Sequence, residues 1–146
     1  MSSFQDILNK PAAEIEAPKP LPVGTYLCLV DGQPEHKTMG KNNTDCFEFN
    51  MKFVQPGPDV DQQAMLETLK GKALNERSLK HRLFVTEDAV WRLKKFLEDL
   101  GIELGTRGLG ECIPEAMGRQ VYLTIGHRSS DDGQSVYMDI KGTAKV

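Results

Sequence analysis

The run DCFEFNMKFV, Asp45 to Val54, constrains the chain more than any other stretch. On an extended backbone Phe47, Phe49, Met51 and Phe53 fall on one side, and Cys46, Glu48, Asn50 and Lys52 on the other. Strict alternation with four large apolar side chains in phase predicts a strand with one buried face.

Its surroundings carry the same period. GTYLCLVDGQPEHK, Gly24 to Lys37, reads as a long first strand, weakened or bulged around Gly32 and Pro34. TMGKNN, Thr38 to Asn43, is a turn. RSLKHRLFV, Arg77 to Val85, sets Leu79, His81, Leu83 and Val85 against Lys80, Arg82 and Phe84. Near the end, Val121, Leu123 and Ile125 alternate with Gln120, Tyr122 and Thr124, and Val136, Met138 and Ile140 with Tyr137, Asp139 and Lys141. The Asp-Gly pair in SSDDGQ between these runs is a hairpin signal.

One stretch breaks the period. In LFVTEDAVWRLKKFLEDLGI, at about 100° per residue, Ala89, Val90, Leu93, Phe96, Leu97 and Leu100 share one helical face. Thr86 is a plausible N-cap, and Gly101 stands where a left-handed C-terminal cap is wanted. Trp91, the single tryptophan, lands on the opposite face among Glu87, Lys94, Lys95 and Glu98. Burying an indole is worth several kcal/mol at roughly 25 cal/mol per Å². Something is therefore expected to cover Trp91: residues 55–76 through Met65 and Leu69, the N-terminal segment through Phe4, Ile7 and Leu8, or another subunit. A base stacked between Trp91 and Lys95 is the remaining option. The basic residues of this helix read as salt-bridge neighbours of Glu87 and Glu98.

Residues 1–22 form a Pro-rich N-terminal arm. Ser3 could cap a short helix bearing Phe4, Ile7 and Leu8, which Pro11 would stop, and Pro18, Pro20 and Pro22 favour an extended chain. The arm is either a flexible tail or a docking segment. Residues 23–146 form one domain, with an excursion at 55–76 whose middle, Asp61 to Leu69, could be a short helix. A helical turn is expected near Pro114 to Met117. The expected class is mainly β with one or two helices. Three strands, a helix, then two strands is the element order of an OB-fold, a five-stranded Greek-key barrel with its helix between strands three and four. Other small barrels and an α+β sandwich share much of that order.

Composition narrows function. With 39% apolar and 27% charged residues, 146 residues suffice for one folded domain and exclude global disorder. The net charge of −3 weighs against coating nucleic acid by charge alone, though it permits a local basic surface. Cys28, Cys46 and Cys112 lack CxxC spacing, so reduced thiols and no bound metal are expected. Asp131 and Asp132 fall on a turn. GTRGLG, Gly105 to Gly110, lacks the preceding strand and the Lys-Ser/Thr of a phosphate loop. With no nucleophile motif, no catalytic residues and no cofactor are assigned. MSSFQDILNK holds no long apolar run, so neither a signal peptide nor a membrane span is expected.

Taken together, LPVGTYLCLVDG, DCFEFNMKFV, VTEDAVWRLKKFLEDLGI and the GRQVYLTIGH…DDGQSVYMDIKG pair resemble small phage-encoded proteins of replication and recombination modules. These are identified as single-stranded-DNA-binding OB-fold proteins. The likeness spans about residues 20 to 143. Its most distinctive parts are Leu21 to Tyr26 and Trp91 to Leu97, neither of them a catalytic fingerprint. It implies single-stranded DNA as the partner and the host cytoplasm as the location. Such proteins often end in an acidic tail, whereas this sequence reads GTAKV, so recruitment through such a tail does not carry over.

An OB-fold binds single strands on the outside of its second and third strands, flanked by hairpin loops. Alternation puts Lys52, Lys80, Arg82, Phe84, Tyr122, Tyr137 and Lys141 outside, and the loops add Lys37, Lys41, His127 and Arg128. Aromatic faces stack bases and cations meet phosphates. Glu48 and Asp139 on the same faces would repel phosphate. Alternating Lys, Arg and Tyr is also how any solvent-facing strand reads. The alternative is a virion or assembly component that uses the barrel and the arm for protein contacts. Oligomerisation or binding to other phage proteins would then run through Phe4, Ile7, Leu8 and Trp91.

Overall fold

A computed structural model describes residues 4–9, 11–12 and 19–146. Ser3 and Pro18, assigned above to the arm, lie outside the described residues. Strand β3 (Thr44–Pro56) is the hub of the fold. Its first half pairs with β2 (Glu35–Met39) and its second half with β1 (Gly24–Val30), while β4 (Ser78–Phe84) runs along its other edge. Strand β1 also pairs with β5 (Gln120–Ser129), and β5 with β6 (Val136–Ala144). All pairings are antiparallel. The order is β2-β3-β1-β5-β6, with β4 branching from β3.

Among the described residues the expected five strands are thus six. The first breaks between Val30 and Glu35, where Gly32 takes φ +80° and Pro34 has no N–H to give a ladder. The Asp31 N–H still donates to the Asn50 carbonyl (2.8 Å), which holds the broken strand on β3. A second correction concerns closure: among the described residues β4 pairs only with β3 and β6 only with β5. The sheet is open at that seam.

Helix α3 (Val90–Asp99) stands at the seam. The Thr86 Oγ1 accepts from Ala89 N (3.2 Å) in the turn that leads into it. At the other end, Gly101 at φ +83° makes the 5→2 bond to Glu98 O (2.9 Å), and Ile102 N makes the 6→1 bond to Leu97 O (3.2 Å). That is a Schellman stop, and only glycine takes this φ without cost. Leu93, Phe96 and Leu97 are buried as the wheel requires, and Phe96 meets Phe49 edge-on at 4.9 Å. They join Tyr26, Phe53, Met51, Leu123 and Ile125 in one core.

The excursion packs on that core. Helix α2 (Gln62–Leu69) is capped by Asp61, whose Oδ1 accepts from Ala64 N (3.1 Å), and it buries Met65 and Leu69. Asp59 clamps its start, accepting from Thr25 N (2.9 Å) and Thr25 Oγ1 (3.1 Å). At Gly57 the two backbones approach so closely that a Cβ would stand 2.5 Å from the Thr25 carbonyl oxygen. The short helix α4 (Leu109–Cys112) and a 3₁₀ turn at Ile113–Ala116 close the loop before β5. Helix α1 (Phe4–Leu8) leaves Phe4, Ile7 and Leu8 exposed. No helix among the described residues is long and apolar enough to cross a membrane.

Candidate nucleic-acid interface

Cross-strand register builds the first half of the site. On the outer face, Glu48 stands opposite both Glu35 of β2 and Arg82 of β4. Its carboxylate is almost fully withdrawn from water, with a side chain 3% exposed. Arg82 Nε donates to it at 2.7 Å, Lys37 Nζ at 2.9 Å, and Lys80 Nζ lies 3.6 Å away. Hydrogen bonds from Lys37 and Arg82, opposed by desolvation, hold its pKa down at about 2. The same bond to Glu48 raises the Lys37 pKa. Glu48 therefore does not present a repelling charge. It is a buried anchor beneath three half-exposed cations, and it orders them.

The second half is a cleft of about 650 Å³ at the open seam. Leu83 of β4, Phe96 of α3 and Met138 and Ile140 of β6 give it an apolar floor. Five cations, Lys80, Arg82, Arg92, Lys95 and Lys141, line it among the described residues, together with the carboxylate of Asp139, which pairs with Lys141 at 3.3 Å. Phe84 and Trp91 flank it, 40% and 56% exposed. The Arg92 guanidinium lies 5.3 Å from the Trp91 ring centre, a cation–π pair. His81 sits on the floor, edge-on to Phe96 at 4.8 Å. Burial pushes its pKa down to about 4, so the ring is neutral at physiological pH.

Lys95 has a different task. Its Nζ donates to Asp99 (2.7 Å) and to the Thr143 carbonyl (3.2 Å), while Thr143 Oγ1 donates to Asp99 (2.5 Å). This staple ties α3 to β6. It also occupies one main-chain acceptor of β6, the carbonyl of Thr143. The partner of Lys95 is Asp99, correcting the expectation of Glu87 and Glu98.

Of the residues assigned from sequence, Lys80, Arg82, Phe84 and Lys141 meet at the cleft, and Lys37 joins them through Glu48. The others lie elsewhere. Lys41 is on the turn after β2, Lys52 is opposite Ser78, and Tyr122 lies between Leu27 and Ala144. Arg128 and Tyr137 face each other in the last hairpin, 5.7 Å from guanidinium to ring centre. His127 is in β5, where its Nε2–H donates to the Leu21 carbonyl at 2.6 Å. Trp91 remains uncovered. Met65 and Leu69 turn into the core instead, and Phe4, Ile7 and Leu8 are themselves exposed. Sequence reasoning missed Arg92, His81 and the anchoring role of Glu48. Only the adjacency of Arg92 to Trp91 hinted at any of them.

Neither a model of a protein family nor the sequence of a curated protein matches this chain.

Proposed function

We propose that this chain is a single-stranded-DNA-binding protein of phage replication or recombination, built on an OB-type barrel left open at its last seam. A sheet of this order would close through β4 and β6, and the cleft lies between those two strands. The observation that carries the reading is the composition of that cleft. It joins an apolar floor, two exposed aromatic faces and five cations that outnumber their carboxylate partners Glu48, Asp99 and Asp139, in a chain whose net charge is −3.

Each part has a task on an unpaired strand. Bases stack on Phe84 and Trp91, each such contact being worth ~1–3 kcal/mol. Phosphates meet Arg82, Lys80, Arg92 and Lys141, releasing counterions, and Lys37 extends the track across the outer face. Stacking is indifferent to base identity, and a duplex hides the flat faces that Phe84 and Trp91 require.

Fluorescence anisotropy with oligo-dT tests this. Binding at low salt that weakens as salt rises, and that falls in Arg82→Ala, is expected. No binding at low salt would refute the reading.

A further inference from the structure

Bonds at the ends of β4 reveal which of its main-chain groups are spare. Val85 N donates to Asp45 O (2.8 Å) and Phe53 N to Arg77 O (3.2 Å). In an antiparallel ladder bonded residues alternate, so the odd-numbered residues of β4 are spent on β3. The N–H and C=O groups of Lys80, Arg82 and Phe84 therefore point to the seam. On β6, Ser130 N donates to Ser135 O (2.8 Å), which by the same alternation commits Tyr137 and Asp139 to β5. Met138 and Ile140 turn their main-chain groups to the seam from the other side.

Between these two edges lies His81. Neither of its ring nitrogens has a hydrogen-bond partner among the described residues. A neutral imidazole offers one donor and one acceptor. The cleft is thus an apolar slot bordered by unused donors and acceptors on both walls and its floor, a composition that suits a flat ligand with a polar edge.

We infer that the seam between β4 and β6 takes one unstacked base of the bound strand, inserted edge-on, with His81 and the free main-chain groups of β4 and β6 bonding its polar edge. The inference rests on the reading of the cleft as a DNA site. A base supplies both a flat body for the apolar floor and a rim of donors and acceptors, and its phosphates remain outside among Arg82, Arg92 and Lys141. A peptide strand could use the same edges, but it has no use for the exposed ring faces of Phe84 and Trp91. Some bases will fit the slot better than others, so binding has a preference at one position that stacking alone would not produce.

The test pairs two changes. Wild type and His81→Phe, which keeps an aromatic ring beside Phe96, are titrated with short oligo-dT and with the same oligomer carrying one central abasic site. The variant is expected to bind the intact oligomer about three- to tenfold more weakly, the size of one hydrogen bond. It should bind the abasic oligomer as wild type does, with an unchanged salt slope. His81→Gln, which restores a donor and an acceptor, should recover most of the loss. Equal weakening on both oligomers overturns the insertion while leaving the DNA site standing. No binding of either oligomer by wild type overturns both. A two-chain assembly that no oligonucleotide disperses, seen by sedimentation, would give the edges to a second copy and overturn the inference as well.

Discussion

Glu48 and Arg82 face each other directly across β3 and β4, joined at 2.7 Å, with the acid buried and the guanidinium half in water. That asymmetry gives the pair its meaning. A carboxylate that water cannot reach holds Arg82, Lys37 and Lys80 in place, while their outer surfaces remain free to meet an anion.

Glu48→Gln should loosen this cluster. Hydrogen bonds to a charged group are worth about 1.5–3 kcal/mol, and because these cations also reach water a loss of about 1–2 kcal/mol is expected. The pH dependence has a definite sign. The Glu48 pKa falls from 4.5 to about 2 on folding, so its stabilisation is present in full above pH 4.5 and disappears as pH drops towards 2. Urea denaturation of wild type and variant across that range should converge at the acid end.

His81 acts in a higher window. Its pKa falls from 6.5 to about 4, so the unfolded chain takes up a proton first as pH is lowered. Stability should be level above pH 6.5 and decline from there to pH 4, by on the order of 2–3 kcal/mol. His81→Phe should flatten that segment and leave the Glu48 segment below it. An unchanged slope in the variant would show that another group titrates there.

Gly57→Ala should be costly for a surface-loop change. Its Cβ would press on a main-chain oxygen, which cannot rotate away as a side chain would. A loss of about 2–3 kcal/mol is expected, the scale of an overpacked site, together with earlier proteolysis within 55–76. Thermal unfolding and limited proteolysis measure both.

Much of this architecture was legible in the chain. Phe49, Met51 and Phe53 are buried on the inner face of β3 that their phase marks, with Phe47 partly buried against the same core, and Gly101 marks the end of α3. Trp91 was correctly read as standing opposite the core face. Cover from Met65 and Leu69 was expected and is not found among the described residues, because both turn into the core, and their apolar character alone does not say which face they meet. The open seam was illegible for a related reason. Alternation reports inside against outside, not which edges meet, and the Lys95–Thr143 contact, which engages a single carbonyl of β6, spans 48 residues. Glu48 read as a repelling charge because its face was evident, while its register with Lys37 and Arg82 was not.

The central claim, that the cleft beside Trp91 grips unpaired DNA, is tested most directly by Trp91 fluorescence during oligo-dT titration over a series of salt concentrations. Quenching that saturates is expected, with an affinity whose logarithm falls linearly with log salt, and Arg92→Ala should reduce that slope by about one. Emission that does not change at low salt, or a slope that Arg92→Ala leaves untouched, would contradict it.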